Sequence, residues 1–183
     1  MLSTTKKTRG FTLVEVIASI TVLAIISAVV FSLLGNTTDA YFAASTRTRL
    51  HTELSVALDR IYNEISQIPP DFDQAQIAPD ITSLNAQRMT WLDSAGNACE
   101  LELSGTNLSL ASNGDSTAVL LKAVSSFQIT AYDEENQALA GSLTGAACDA
   151  IRRVVVSIAT EDRGVIEKLR TKVFIRSTRL GTS

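Results

Sequence analysis

Residues 11–34 read FTLVEVIASITVLAIISAVVFSLL, and Glu15 is the only charged side chain in the run. As a helix rising about 1.5 Å per residue, the segment is long enough to cross a hydrocarbon core of about 30 Å. A membrane span is therefore predicted. Lys6, Lys7 and Arg9 lie just before it, and the next basic residue is Arg47. The positive-inside rule then places the N-terminus in the cytoplasm and the C-terminal portion on the far side. Glu15 needs a reason, because an acidic group in a spanning helix costs on the order of 3 kcal/mol and persists where it is paired or functional. Two readings are open at this point: the carboxylate pairs with a cation on another molecule, or it lies near the interface and snorkels.

Beyond the span the helical pattern continues. No proline occurs from Met1 to Ile68, and Leu50, Leu54, Leu58, Ile61, Ile65 and Ile68 recur every three or four residues. That spacing predicts one apolar stripe on a helix, with Arg47, Arg49, Glu53, Asp59, Arg60 and Glu64 mostly off it. Pro69-Pro70 supplies the stop. A single helix from about Phe11 to Gln67 would be roughly 85 Å long. Gly35, Asn36, Thr37 and Thr38 are poor helix formers and mark the place where it could bend or melt locally.

After Pro70, short alternating segments separated by turn residues predict antiparallel strands. Met89–Asp93 and Glu100–Leu103 flank Ser94-Ala95-Gly96-Asn97 as a hairpin. Leu108 and Leu110 lead to Asn113-Gly114-Asp115, a turn signal, and Phe127, Ile129 and Ala131 alternate with polar residues before the turn Asp133–Asn136. Val154–Thr160 and Leu169–Arg176 read as a final strand pair whose inner faces, with Leu169, Val173 and Ile175, cover the helix stripe. Arg152-Arg153 at the start of the first is expected to be edge or surface charge. The whole is an α+β chain: a long N-terminal helix, its second half packed on an antiparallel sheet.

The 183 residues leave room for one globular domain plus an anchor. With 16 Lys+Arg against 19 Asp+Glu and a formal charge of −3, the composition argues against a protein that coats nucleic acid, and no nucleic-acid partner is directly predicted. Cys99 and Cys148 both follow the span, where a translocated domain meets an oxidising compartment. Either they form a disulfide, worth about 4 kcal/mol in the chain-entropy model, or they are two unrelated buried thiols. His51 is the only histidine and falls on the helix, so no catalytic triad is expected around it. No phosphate loop, metal-spaced cluster or calcium loop occurs, and the acidic turn Asp133-Glu134-Glu135 reads as solvated rather than as a calcium ligand set. No catalytic residue, metal or cofactor is expected.

Residues Lys6 to Ser19, KKTRGFTLVEVIAS, resemble the N-terminal signature of type IV prepilins and type II secretion pseudopilins. The resemblance implies a cytoplasmic leader at 1–10, cleavage between Gly10 and Phe11 by a prepilin peptidase, and methylation of the new N-terminus at Phe11. Gly10 suits this physically, since a residue without a side chain lets a peptidase approach the backbone. Glu15 matches the family's glutamate, implicated in docking onto the growing filament, which favours the pairing reading. Segments 11–34, 35–68 and 69–183 then become the membrane half of the helix, its amphipathic half and a periplasmic or extracellular β-rich domain. The implied partners are the peptidase, other pilin or pseudopilin subunits contacted through the helix, an inner-membrane assembly platform, and membrane lipid. The loose layout of the whole chain is similar to minor pilins and to the J-type minor pseudopilin. Many major pilins carry a proline in the membrane segment; here Ser32 stands within it and no proline does. Secretory and lipoprotein signals fit less well, because the apolar run is too long and no cysteine follows it before Cys99. The alternative is a single-span anchored binding domain that is never processed.

Overall fold

The computed structural model describes residues 12–71, 78–112, 117–139 and 141–176. The chain divides into two units, Met1–Ala44 and Ser45–Ser183.

Helix α1 (Leu13–Ser66) provides the secondary structure of the described residues of the first unit and continues into the second. In the first unit its side chains are exposed: Leu13, Ile17, Ile20, Leu23, Ile25, Phe31, Leu33 and Leu34 are each more than half accessible. Several polar residues there satisfy themselves locally. The hydroxyls of Ser19, Thr21 and Ser27 donate to the carbonyls of Glu15, Ile17 and Leu23 at 2.7, 2.6 and 2.7 Å. Bonded back to their own helix, they no longer need water. Thr37 and Thr38 do the same to Leu33 and Leu34, and the helix runs without interruption through Gly35.

In the second unit the predicted stripe is buried: Leu50, Leu54, Leu58, Ile61, Ile65 and Ile68 are all at most 6% exposed, and Ala57 joins them. The helix closes with tightened bonds from Gln67 N–H to the Glu64 carbonyl and from Ile68 N–H to the Ile65 carbonyl, at 3.2 and 3.3 Å, just ahead of Pro69-Pro70. A short ribbon, β1 (Pro70–Asp71) with β2 (Ala78–Pro79), follows. Next come β3 (Ile81–Asn85), β4 (Arg88–Leu92), β5 (Ala98–Ser104), β6 (Asn107–Ala111), β7 (Ala118–Leu121), β8 (Val124–Tyr132) and β9 (Ser142–Thr144). A 3₁₀ turn at Gly145–Cys148 precedes β10 (Arg153–Asp162) and β11 (Val165–Phe174).

The antiparallel strands form two main sheets where the sequence suggested one: a six-stranded sheet in the order β7-β6-β5-β4-β3-β9 and a three-stranded sheet β11-β10-β8. Their inner faces meet the helix stripe in one core. Met89, Leu101 and Leu108 come from the larger sheet, Ile129, Val154, Ile158 and Val173 from the smaller, and Leu54, Ile61 and Ile65 from α1. Alternation along each strand, with apolar residues inward and polar residues outward, sets the register.

Turn chemistry fixes the hairpins. The Asp93 carboxylate accepts the N–H groups of Ala95 and Asn97 at 2.8 and 2.9 Å, closing the β4–β5 turn around Gly96, whose φ is 79°. Those bonds, led by the one from the Asn97 backbone, hold the Asp93 carboxyl below its usual range. The β10–β11 hairpin turns on Arg163-Gly164, both at positive φ (51° and 76°), the geometry of a tight two-residue turn. That turn starts β11 at Val165, four residues ahead of the strand the sequence suggested. Arg153, expected as edge or surface charge, belongs to the central strand of its sheet and not to an edge, and it is half-buried. The turn signal Asn113-Gly114-Asp115 lies outside the described residues.

Candidate functional site

Gly10 and Phe11 lie outside the described residues, so the description of the candidate site starts at Thr12, the residue before α1. The Glu15 N–H donates to Thr12 Oγ1 at 3.3 Å, while the Thr12 N–H and hydroxyl each donate to Glu15 Oε2 at 3.4 Å. This reciprocal Thr-x-x-Glu arrangement is a capping box: the threonine satisfies an orphan N–H of the first turn, and the glutamate reaches back to the cap residue. A carboxylate in the first turn also opposes the positive end of the helix dipole. Glu15 thus has a local structural role, which explains how a charge is tolerated at the head of an apolar helix. Both contacts use Oε2, which leaves Oε1 without a partner among the described residues.

Glu15 also heads a shallow groove lined by Ala18, Ser19, Val22, Leu23 and Ile26, residues that recur on one helical face. Small residues beside larger ones let another helix approach closely. The apolar part of α1 includes an 18-residue window of mean hydropathy 2.6, none of it buried. So large an exposed apolar surface requires lipid or other apolar helices around it.

Residues 5–31, which contain Gly10, Phe11 and Glu15, match the family model described as the prokaryotic N-terminal methylation motif. The match supports the prepilin/pseudopilin family. No curated protein matches the chain. The methylation motif supports a type IV pilin or pseudopilin precursor, and the one long apolar helix among the described residues, which begins inside the motif, fits a membrane-anchored pilin.

The other residues singled out from the sequence are separate from this motif. His51 is on the exposed side of α1, its Nδ1 3.2 Å from Glu167 Oε1, and Glu167 also accepts Arg47 Nε at 3.0 Å. Arg47 first, and His51 second, hold the Glu167 carboxyl below its usual range. Arg49 bridges Glu53 on its own helix and Asp162 on β10. These pairs clasp the helix to the β10–β11 hairpin and explain His51 without chemistry. Cys99 on β5 and Cys148 at the end of the 3₁₀ turn are both buried, and the structure holds them as separate thiols. Burial, with Asp149 adding to it, pushes the Cys148 thiol up, the opposite of an activated nucleophile. Among the described residues no group of His, Cys, Asp and Glu is arranged to hold a metal. The Asp133 carboxylate instead accepts the Gln137 N–H at 2.7 Å as a turn brace.

Thr12 is the site residue that sequence reasoning missed. Its signal was present, a threonine three residues before a glutamate at the start of an apolar run, but Thr12 passed unnoticed inside the longer motif.

Proposed function

We propose that this chain is a prepilin-type subunit, cut after Gly10 by a prepilin peptidase, methylated at Phe11, and built into a pilus or pseudopilus through its N-terminal helix. The observation that carries the reading is Glu15, the only charge in the apolar run, lying inside the matched motif with one carboxylate oxygen unpartnered among the described residues. Cleavage would create a cationic amine at Phe11, which faces two penalties: lipid around it and the positive end of its own helix dipole. A neighbouring subunit's Glu15 relieves both. The groove below Glu15 gives the neighbour's helix a surface to follow, so apolar helices replace lipid as the subunit leaves the membrane.

Before cleavage, 1–10 is the cytoplasmic leader, 11–34 spans the inner membrane once, 35–68 is the amphipathic half of the helix, and 69–183 is the periplasmic or extracellular domain. Within the class, the reading extends to a minor subunit near the fibre tip, similar in layout to the J-type pseudopilin. Support for that comes from the large globular portion after Pro70, with its two sheets. Partners are the peptidase, the other subunits and the inner-membrane assembly platform. The exported location makes Cys99 and Cys148 candidates for oxidation, checked by comparing intact mass with and without reductant; an unchanged mass would show that the thiols persist.

The test of the assembly reading is Glu15→Gln in the producing cell. The variant is expected to insert and be cleaved normally but to be missing from sheared fibres and from cross-linked assemblies. Incorporation at the wild-type level would overturn the pairing mechanism, whereas absence of the wild-type chain itself from fibres would favour an anchored domain.

A further inference from the structure

The outer face of the three-stranded sheet carries a charge pattern that assembly through the helix does not use. Register places Lys168, Arg170 and Lys172 of β11 opposite Ala159, Ser157 and Val155 of β10, and those opposite Ser126, Gln128 and Thr130 of β8. Directly paired residues share a face, and the other face, with Phe127, Ile129, Val154, Ile158 and Val173, is the core. The outer face is therefore a floor of small residues with a row of exposed cations along one side and a row of hydroxyl and amide groups along the other. At one end the Arg153 guanidinium sits 4.3 Å from the Tyr132 ring centroid and 5.8 Å from that of Phe174, its Nε buried without a hydrogen-bond partner. Glu161 is the acidic side chain on this face of β10, near the far end. Lys168, Arg170 and Lys172 form no ion pair with a described residue. So concentrated a set of cations is unusual in a chain of net charge −3.

We infer that this face binds the sugar–phosphate backbone of a nucleic acid without sequence preference. Alternate residues on a strand stand about 6.8 Å apart, close to the separation of successive phosphates along one nucleic-acid strand. A flexible backbone can therefore meet Lys168, Arg170 and Lys172 in turn while Ser126, Gln128 and Thr130 supply hydrogen bonds. The rings of Tyr132 and Phe174 are already engaged by Arg153, so base stacking contributes little and the binding is electrostatic. A second copy docking edge to edge through β11 is disfavoured, because it would bring two rows of like charge together. The bland competitor is edge protection: β11 borders its sheet, and cations on an edge strand deter aggregation.

The test uses the full-length chain in a nonionic detergent and fluorescence anisotropy with a single-stranded oligonucleotide, its duplex, and polyglutamate. Binding to both nucleic acids, weaker for polyglutamate, is expected. For three phosphate contacts the single-strand affinity should fall with a log–log salt slope of about −2, or roughly 16-fold from 50 to 200 mM salt. K168E/R170E/K172E should lose the binding while keeping its circular dichroism spectrum; R49E/R60E, which changes cations elsewhere, should retain it. Equal or tighter binding to polyglutamate would overturn the inference in favour of an acidic protein partner. Absence of binding to all three probes would overturn it in favour of edge protection, with aggregation of the uncharged variant K168S/R170S/K172S as the positive sign.

Discussion

Glu15 carries two roles that substitution can separate. Its carboxylate completes a capping box with Thr12, and under the proposed mechanism it also pairs with a neighbour's N-terminus. Glutamine at the same place still completes a capping box, so Glu15→Gln removes the charge and keeps the cap. Thr12→Ala does the reverse, costing about 1 kcal/mol of local helix stability while leaving the carboxylate. Fibre incorporation is expected to collapse in Glu15→Gln and to persist in Thr12→Ala; equal losses in both would assign Glu15 to capping alone. At Glu167 the expectation concerns pH. Its carboxyl is held below the unfolded value by Arg47 and His51, so its contribution is complete above the unfolded pKa of about 4.3 and is lost as pH falls through the folded value. The difference in thermal midpoint between the wild type and Glu167→Gln should therefore shrink between pH 5 and pH 3. A difference that grows over that interval would contradict the clasp.

Elements that rest on long apolar periodicity were legible, and those that rest on pairing were not. The stripe from Leu50 to Ile68 could be read because branched apolar residues recur at helical spacing, and all six are buried. Truncating Ile61, fully buried, to Ala should cost about 2–5 kcal/mol, whereas Val56→Ala on the 65% exposed side should change stability by less than about 0.5 kcal/mol. Thermal melts of the two variants check the contrast. The apolar run Val154-Val155-Val156 announced β10, and alternation announced β5 and β8. By contrast β3, β7 and β9 are short segments whose sequences, ITSLN, AVLL and SLT, have no pattern of their own. Only neighbouring strands make them strands. The split into two sheets was hidden for the same reason, since strand order is a non-local property. That Arg153 lies on a central strand between Tyr132 and Phe174 was hidden because sequence does not show which residues pair across from it.

For the whole molecule, the motif was the most legible part of the candidate site and its geometry the least. Gly10, Phe11 and Glu15 stood out through a resemblance that the match over residues 5–31 supports. The capping bonds and the groove below Glu15 required coordinates. The proposed division of labour follows from the physics: an apolar helix that stays exposed needs a membrane or a bundle, while a globular unit with its own core requires neither. Intact mass of the membrane-extracted protein, from cells with and without a prepilin peptidase, tests the subunit proposal most directly. The expected product begins at Phe11 with one added methyl group and is missing from the peptidase-deficient cells; a chain that still begins at Met1 in both would contradict the proposal and leave an anchored domain.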